Sequence, residues 1–231
     1  MHVIFVEKSG VKDYFAPMRR ELYDIMESEG HGHVHAARKL VAIACSTGGP
    51  KALHSVVPKL PANLDAPVVI VQHMPKGFTE SLAERLDSIS PISVREAAEG
   101  EPVRKGCVYI ARAGSHLKLK RQGDRIVFVY SDEPVREGVK PCANYMFESI
   151  LDTPYDEVVC VVMTGMGADG MEGIANLLKN KRNRHITVLA QNAGTCVVYG
   201  MPRAVVSAKL ADKVVPLEEI ANEIITNMGV R

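Results

Sequence analysis

At 231 residues the chain is long enough to bury one large aliphatic core, and with no Trp and only five Phe that core falls to Val, Ile, Leu and Ala, the residues of parallel sheets. A net charge of +1 supplies no field to recruit nucleic acid or an anionic membrane surface, and no apolar run reaches the roughly 20 residues of a membrane span. The five cysteines lack CxxC spacing and several sit inside apolar runs, which reads as reduced, buried thiols in a cytoplasmic protein without a signal peptide.

Residues 1–38 differ from the rest. They are charged, carry the tract His31-Gly32-His33-Val34-His35, and place Tyr14, Met18, Leu22 and Ile25 at helical spacing near Pro17. This stretch reads as a linker or N-terminal extension with one short helix; alternate histidines in a polar segment seldom hold a metal without further ligands. From residue 39 to 231 a repeating pattern sets in. Val41–Cys45 predicts a buried strand, Gly48-Gly49-Pro50 a turn, and Lys51–Pro58 a helix. Val68–Gln72 predicts the next strand and Thr79–Ser88 the next helix, with Thr79 as N-cap. Val108–Ala111, Leu117–Lys120 and Arg125–Tyr130 alternate around Gly-containing turns and predict antiparallel hairpins. Asn144–Leu151 reads as helix, Val158–Met163 as a central strand, Met171–Asn180 as helix and Ile186–Ala190 as strand. A helix from Met201 to Ala208, a short strand at Lys213–Pro216 and a helix at Leu217–Met228 complete the chain. Strand–helix alternation with short connections predicts a doubly wound α/β fold: a mainly parallel sheet, helices on both faces, and an inserted antiparallel hairpin.

Three polar clusters follow buried strands: Ser46-Thr47-Gly48-Gly49, Gln72-His73-Met74 and Thr164-Gly165-Met166-Gly167-Ala168-Asp169-Gly170. Ligands of an open parallel sheet bind outside the carboxyl ends of its strands, so Ser46, His73 and Asp169 can meet in one crevice. A strand, a Ser followed by glycines, and then a helix make a nucleophile elbow with Ala44 in place of its first Gly; alternatively Ser46 only caps that helix. His73 at the tip of a neighbouring strand could take the Ser46 proton, and Asp169 could orient His73 or, alternatively, cap its own helix. Two phosphate-binding readings fail. Pro50 stands between Gly49 and Lys51, which breaks a P-loop, and the Gly165–Gly170 match to G-x-G-x-x-G lacks an acidic residue at the tip of the next strand, where Ala190-Gln191-Asn192 stands.

The ordered set of segments resembles the catalytic domain of bacterial chemotaxis protein-glutamate methylesterases (CheB-type). It comprises Ala44–Gly49, Gln72-His73-Met74-Pro75-x-Gly77-Phe78-Thr79, Thr164–Gly170, Ala190-Gln191 and Gly200-Met201-Pro202-Arg203, with Gly100-Glu101, Gly106, Tyr109-Ile110-Ala111 and Gly114-x-His116 between them. The resemblance covers residues 40 to about 228. It implies Ser46 as nucleophile, His73 as general base and acid, Asp169 as its partner, and Met166 N–H as oxyanion donor, with Thr47 and Gly165 in the loops beside the nucleophile. It further implies a serine hydrolase that removes methyl groups from glutamate γ-methyl esters of chemoreceptors, and for many members deamidation of receptor glutamines. No cofactor or metal is called for. The implied partners are methyl-accepting receptors and, in a full-length form, a phospho-receiver domain. Such a domain needs roughly 120 residues, more than the 38 that precede the pattern.

Departures from the family's pattern concentrate in one segment. Val139-Lys140-Pro141-Cys142 replaces His-Arg-Pro-Ser, Asn144 replaces a common Asp, and Asn192-Ala193 replaces an acidic pair. These changes bear on substrate docking and rate. Two other readings stay open: a docking module that retained the fold, which the altered 139–144 segment favours and the intact triad opposes, and an esterase of small molecules on the same site.

Overall fold

The structure, a computed structural model, describes residues 38–230. The expected extension of residues 1–38, with its histidine tract and helix, lies outside the described residues except for Arg38. In chain order the elements are β1 (Lys39–Cys45), α1 (Gly49–Val56), β2 (Val68–Gln72), α2 (Phe78–Asp87), β3 (Ser93–Glu96) and β4 (Cys107–Ile110). The hairpin β5 (His116–Gln122) and β6 (Arg125–Ser131) follows, then α3 (Ala143–Ser149), β7 (Glu157–Val162) and α4 (Met171–Lys179). Last come β8 (His185–Gln191), α5 (Met201–Ser207), β9 (Lys213–Val215) and α6 (Leu217–Met228).

Seven strands form one sheet in the order β3-β4-β2-β1-β7-β8-β9, and every pairing in it is parallel. The chain runs outward from β1 on one side, then returns to build the other side from β7. Strand β1 therefore sits at the topological switch point, where a crevice opens at the carboxyl ends. Because side chains alternate along a strand, β1 feeds two separate cores. Val41, Ile43 and Cys45 pack with Leu53 and Val56 of α1, Leu82 and Leu86 of α2, and Ile220 and Ile224 of α6. Leu40, Ala42 and Ala44 pack with Met146 and Phe147 of α3, Ile174 and Leu177 of α4, and Val205 of α5. The hairpin closes this second face through Leu117, Leu119 and Phe128. The fold is the doubly wound α/β architecture expected.

Two local expectations are corrected. Val108–Ala111 belongs to no hairpin: Cys107–Ile110 is buried at all four positions and pairs parallel between β2 and β3. Among the described strands only β5 and β6 pair antiparallel, as a two-stranded sheet of their own. Thr79 is not an N-cap, because Gly77 in the left-handed region at φ 87° starts α2 one residue earlier than expected. Thr79 is instead buried, its hydroxyl donating to Glu96 at 2.5 Å and accepting from Ala113 N–H at 3.3 Å.

Ile43→Ala, in the fully buried middle of β1, should lower the unfolding free energy by about 2–5 kcal/mol in urea titrations. Val214→Ala, on edge strand β9 and 47% exposed, should stay within about 0.5 kcal/mol of the parent. Equal effects at the two positions would contradict the placement of β1 at the sheet centre.

Candidate active site

Register brings the polar clusters together. Cys45 pairs with Gln72 across β1 and β2, so the next residues, Ser46 and His73, leave the sheet side by side. On the other side Ala44 pairs with Val162, and two residues on Ser46 N–H donates to Thr164 O at 2.9 Å. Gln72 locks the first junction from below. Its amide donates to Ser46 O at 3.0 Å and to His73 O at 2.8 Å, while its carbonyl faces the Cys45 thiol at 3.1 Å. Thr164 locks the second: its hydroxyl donates to Thr47 O at 2.9 Å and accepts from the N–H groups of Val197 and Val198. Both residues are buried, so these bonds hold three loops without competition from water.

Ser46 does not cap α1. The N-cap is Gly48 at φ 82°, without a side-chain cap bond, and Ser46 instead offers its carbonyl to Gly49 N–H at 2.7 Å. Among the described residues the Ser46 hydroxyl and the His73 ring make no direct hydrogen bond. His73 Nε2 lies 2.8 Å from Asp169 Oδ2. A carboxylate only accepts, so Nε2 carries the proton and Nδ1 is left bare.

Asp169 is 2% exposed and enclosed by donors. Besides His73, it accepts from Ala143 N–H at 2.6 Å, Asn144 N–H at 3.0 Å and the Cys142 thiol at 2.9 Å. Burial pushes its carboxyl up, yet the bonds from His73, Cys142 and Ala143 N–H outweigh burial and hold it below the ordinary value. The charge that results suits a buried orienting group. Asp169 does not cap α4 either; Gly170 is the N-cap, and Asn144 Oδ1 from the neighbouring helix accepts Gly170 N–H at 3.0 Å and Gly173 N–H at 2.7 Å. The altered segment around residues 139–144 thus has a structural task in this chain. It supplies the donors that keep Asp169 ionised and caps the helix that follows.

The loop after β7 passes over the serine. A Cβ at Gly165 would lie 2.8 Å from Ser46 Cβ and 2.3 Å from Met201 Sδ, and one at Gly200 would lie 2.6 Å from Gly165 O. Gly165 and Gly200 thus allow close packing around Ser46, while the motif's other glycines, Gly167 and Gly170, take positive φ values of 87° and 97°, so the G-x-G-x-x-G match has steric and conformational grounds without a nucleotide. Gly165 O is taken by Gly200 and Met201 N–H, whereas Met166 N–H makes no hydrogen bond among the described residues. Met166 is 71% exposed and Val197, packed against Gly48, is 63% exposed, so an apolar rim borders the serine.

The CheB methylesterase family model matches residues 41–224. The chain belongs to the CheB methylesterase family. It is 48% identical over 192 residues to the protein-glutamate methylesterase/protein-glutamine glutaminase 1 of Syntrophomonas wolfei, covering 81% of this chain and 53% of that protein. The corresponding protein of Bacillus subtilis is 46% identical over 189 residues, covering 81% of this chain and 52% of that one. The chain thus spans about half the length of the curated relatives it matches. The crystal structure of the Thermotoga maritima CheB methylesterase catalytic domain superposes with a TM-score of 0.78 at 40% identity, covering 83% of this chain and 99% of that domain.

Sequence reasoning missed the residues that hold the CheB-type site rather than line it. Ala143 and Asn144 reach Asp169 through backbone N–H groups, which every residue type but proline presents. Gln72 was readable only as the residue before His73. The thiol of Cys142 carried a signal, since Ser, another short donor, is usual there in the family, but the bond to Asp169 needs the fold to appear.

Asp169→Asn places an amide against the N–H groups of Ala143 and Asn144, and should cost about 1–3 kcal/mol of unfolding free energy at pH 7. A carboxyl held below its ordinary value contributes stability above the unfolded-chain value of about 3.9 and loses it as pH falls through the folded one. The difference between parent and variant in urea titrations should therefore narrow below about pH 4. A difference independent of pH would contradict a buried carboxylate here.

Proposed function

We propose that this chain is a serine hydrolase that removes methyl groups from glutamate γ-methyl esters of bacterial chemoreceptors, with Ser46, His73 and Asp169 as its triad. One observation carries the reading: a buried, ionised Asp169 hydrogen-bonded to His73, at the strand end beside Ser46. The names of the relatives supply the substrate class, and the exposed rim of Met166 and Val197 suits an ester presented on another protein's surface better than one in a deep pocket.

Asp169 fixes the proton on His73 Nε2 and so leaves Nδ1 as the base. Nδ1 takes the Ser46 proton as the serine oxygen attacks the γ-carbonyl. The oxyanion forms under the loop that crosses Ser46, where Met166 N–H is free to receive it, and Thr47 and Gly165 shape the approach. Asp169 stabilises the imidazolium, which then protonates the departing methoxide. Methanol leaves, and water activated by the same nitrogen hydrolyses the acyl-enzyme to the glutamate carboxylate. A glutamine side chain passes through the same steps with ammonia as leaving group, in keeping with the double name of the relatives. No step calls for a metal or cofactor.

On this reading residues 39–231 form the catalytic domain and residues 1–38 a linker or N-terminal extension, with a phospho-receiver domain as partner in a full-length form. The protein acts in the cytoplasm, on the receptors' inner segments. No described helix is long and apolar enough to cross a membrane.

Methanol release from methylated chemoreceptor membranes tests the proposal. The chain should release methanol, and Ser46→Ala should lower the rate by about three orders of magnitude or more. Absence of release by the folded parent, or equal release by Ser46→Ala, would overturn it.

A further inference from the structure

His116 ends a line of contacts that leads to the triad, although it touches none of its members. It sits at the start of β5, fully buried, and its Nδ1 accepts Cys142 N–H at 3.1 Å. The next two N–H groups, of Ala143 and Asn144, and the thiol of Cys142 all point to Asp169. The imidazole thus fixes the first peptide of the turn whose following peptides cradle the carboxylate. To accept, Nδ1 must be bare, so the proton sits on Nε2, which is buried near the carbonyls of Glu133 and Pro134 but in good hydrogen-bond geometry with no acceptor among the described residues. A buried donor so poorly satisfied is costly, and a side chain kept in that state calls for a compensating task.

We propose that His116 is a positioning residue for Asp169, acting through the 142–144 turn, and that its protonation releases that turn and switches the site off. The imidazolium would set one N–H against another at Cys142, and the turn would lose its anchor. The inference rests on the triad reading above and adds to it a histidine outside the triad.

The surroundings of His116 favour the neutral form at neutral pH. Burial disfavours the charge, as does Lys140 on the loop before α3; the carbonyls of Glu133 and Pro134 and the Glu133 carboxylate oppose them, and the ordinary value is lowered on balance. Glu133 is itself paired with Lys118 of β5 at 2.5 Å, which blunts its pull. Tyr145 of α3 meets the ring edge-on at 4.6 Å, and over the Tyr145 ring lie Lys118 and Arg136, two further positive charges. Arg136 is tied to Glu148 and Glu172 on α3 and α4. A group whose folded value is depressed leaves the unfolded chain binding more protons at acid pH, so both stability and turn geometry should fail on the acid side.

The test uses a fluorophosphonate that labels the nucleophilic serine, which needs no receptor. Its second-order rate with Ser46 is measured from pH 4.5 to 8 on the full chain and on His116→Asn and His116→Phe. Asn places an oxygen acceptor near the position of Nδ1 without titrating; Phe keeps the ring and removes the acceptor. At pH 8 His116→Asn should react within about twofold of the parent, and His116→Phe about tenfold or more slowly, the size of effect expected from a small displacement of a positioned group. Below pH 6.5, the ordinary histidine value, the parent's rate should fall more steeply than that of His116→Asn. Should His116→Phe fail to fold, the comparison of parent with His116→Asn decides alone. Superimposable acid limbs for those two would overturn the inference while leaving the triad intact. No labelling of the parent at any pH would overturn the triad, and this inference with it.

Discussion

A carboxylate can stay charged inside a protein only if donors surround it, and that requirement organises this molecule around Asp169. One carboxyl group accepts from a ring nitrogen, a thiol and two successive backbone N–H groups, all from residues distant in sequence. Meeting it fixes the first turn of α3, the entry to α4 and the ring of His73 in one arrangement. Asn144 shows the economy of this packing. Its backbone N–H serves Asp169 while its side-chain oxygen caps α4, and a Cβ at Gly173 would lie 2.6 Å from its backbone. A perturbation of the 142–144 turn therefore reaches the carboxylate and the helix together.

The sheet supplies the other half of the geometry. With β1 between β2 and β7, three strand ends open on one side, and register alone sets Ser46 beside His73 and Thr164. Gln72 and Thr164 then tie the exits with buried side-chain bonds, so the serine sits on a short loop whose neighbours cannot drift. Fold and chemistry meet at this point. The two cores on either face of β1 hold the strand ends, and the strand ends hold Ser46 and His73, the groups proposed to react.

Much of this was legible in the sequence because the sheet strands that build the site are runs of buried apolar residues ending abruptly in polar groups. Val41–Cys45, Val68–Gln72 and Val158–Val162 show it plainly, and Leu217–Met228 shows the helical period equally well. Other features were not legible, for physical reasons. β3 is four residues long, Ser93-Val94-Arg95-Glu96, with only Val94 buried, so it carries no apolar run. β4 lies close in sequence to an antiparallel hairpin and took on its character until its uniform burial set it in the main sheet. The cradle of Asp169 is made largely of backbone N–H groups, which leave no mark in residue type. The departures at residues 139–144 pointed to the right segment, yet their consequence, hydrogen bonds to a carboxylate some 25 positions away, emerges only from the packing of α3 against α4.

The central claim is that Asp169 holds a proton of His73 on Nε2 and so leaves Nδ1 as the nitrogen that serves Ser46 in the proposed mechanism. Ring-nitrogen NMR of the histidine-labelled chain at neutral pH reads this tautomer directly. The account predicts a protonated Nε2 on His73, with its proton shifted strongly downfield by the bond to Asp169, and an unprotonated Nδ1. A proton on Nδ1 with a bare Nε2 would contradict it.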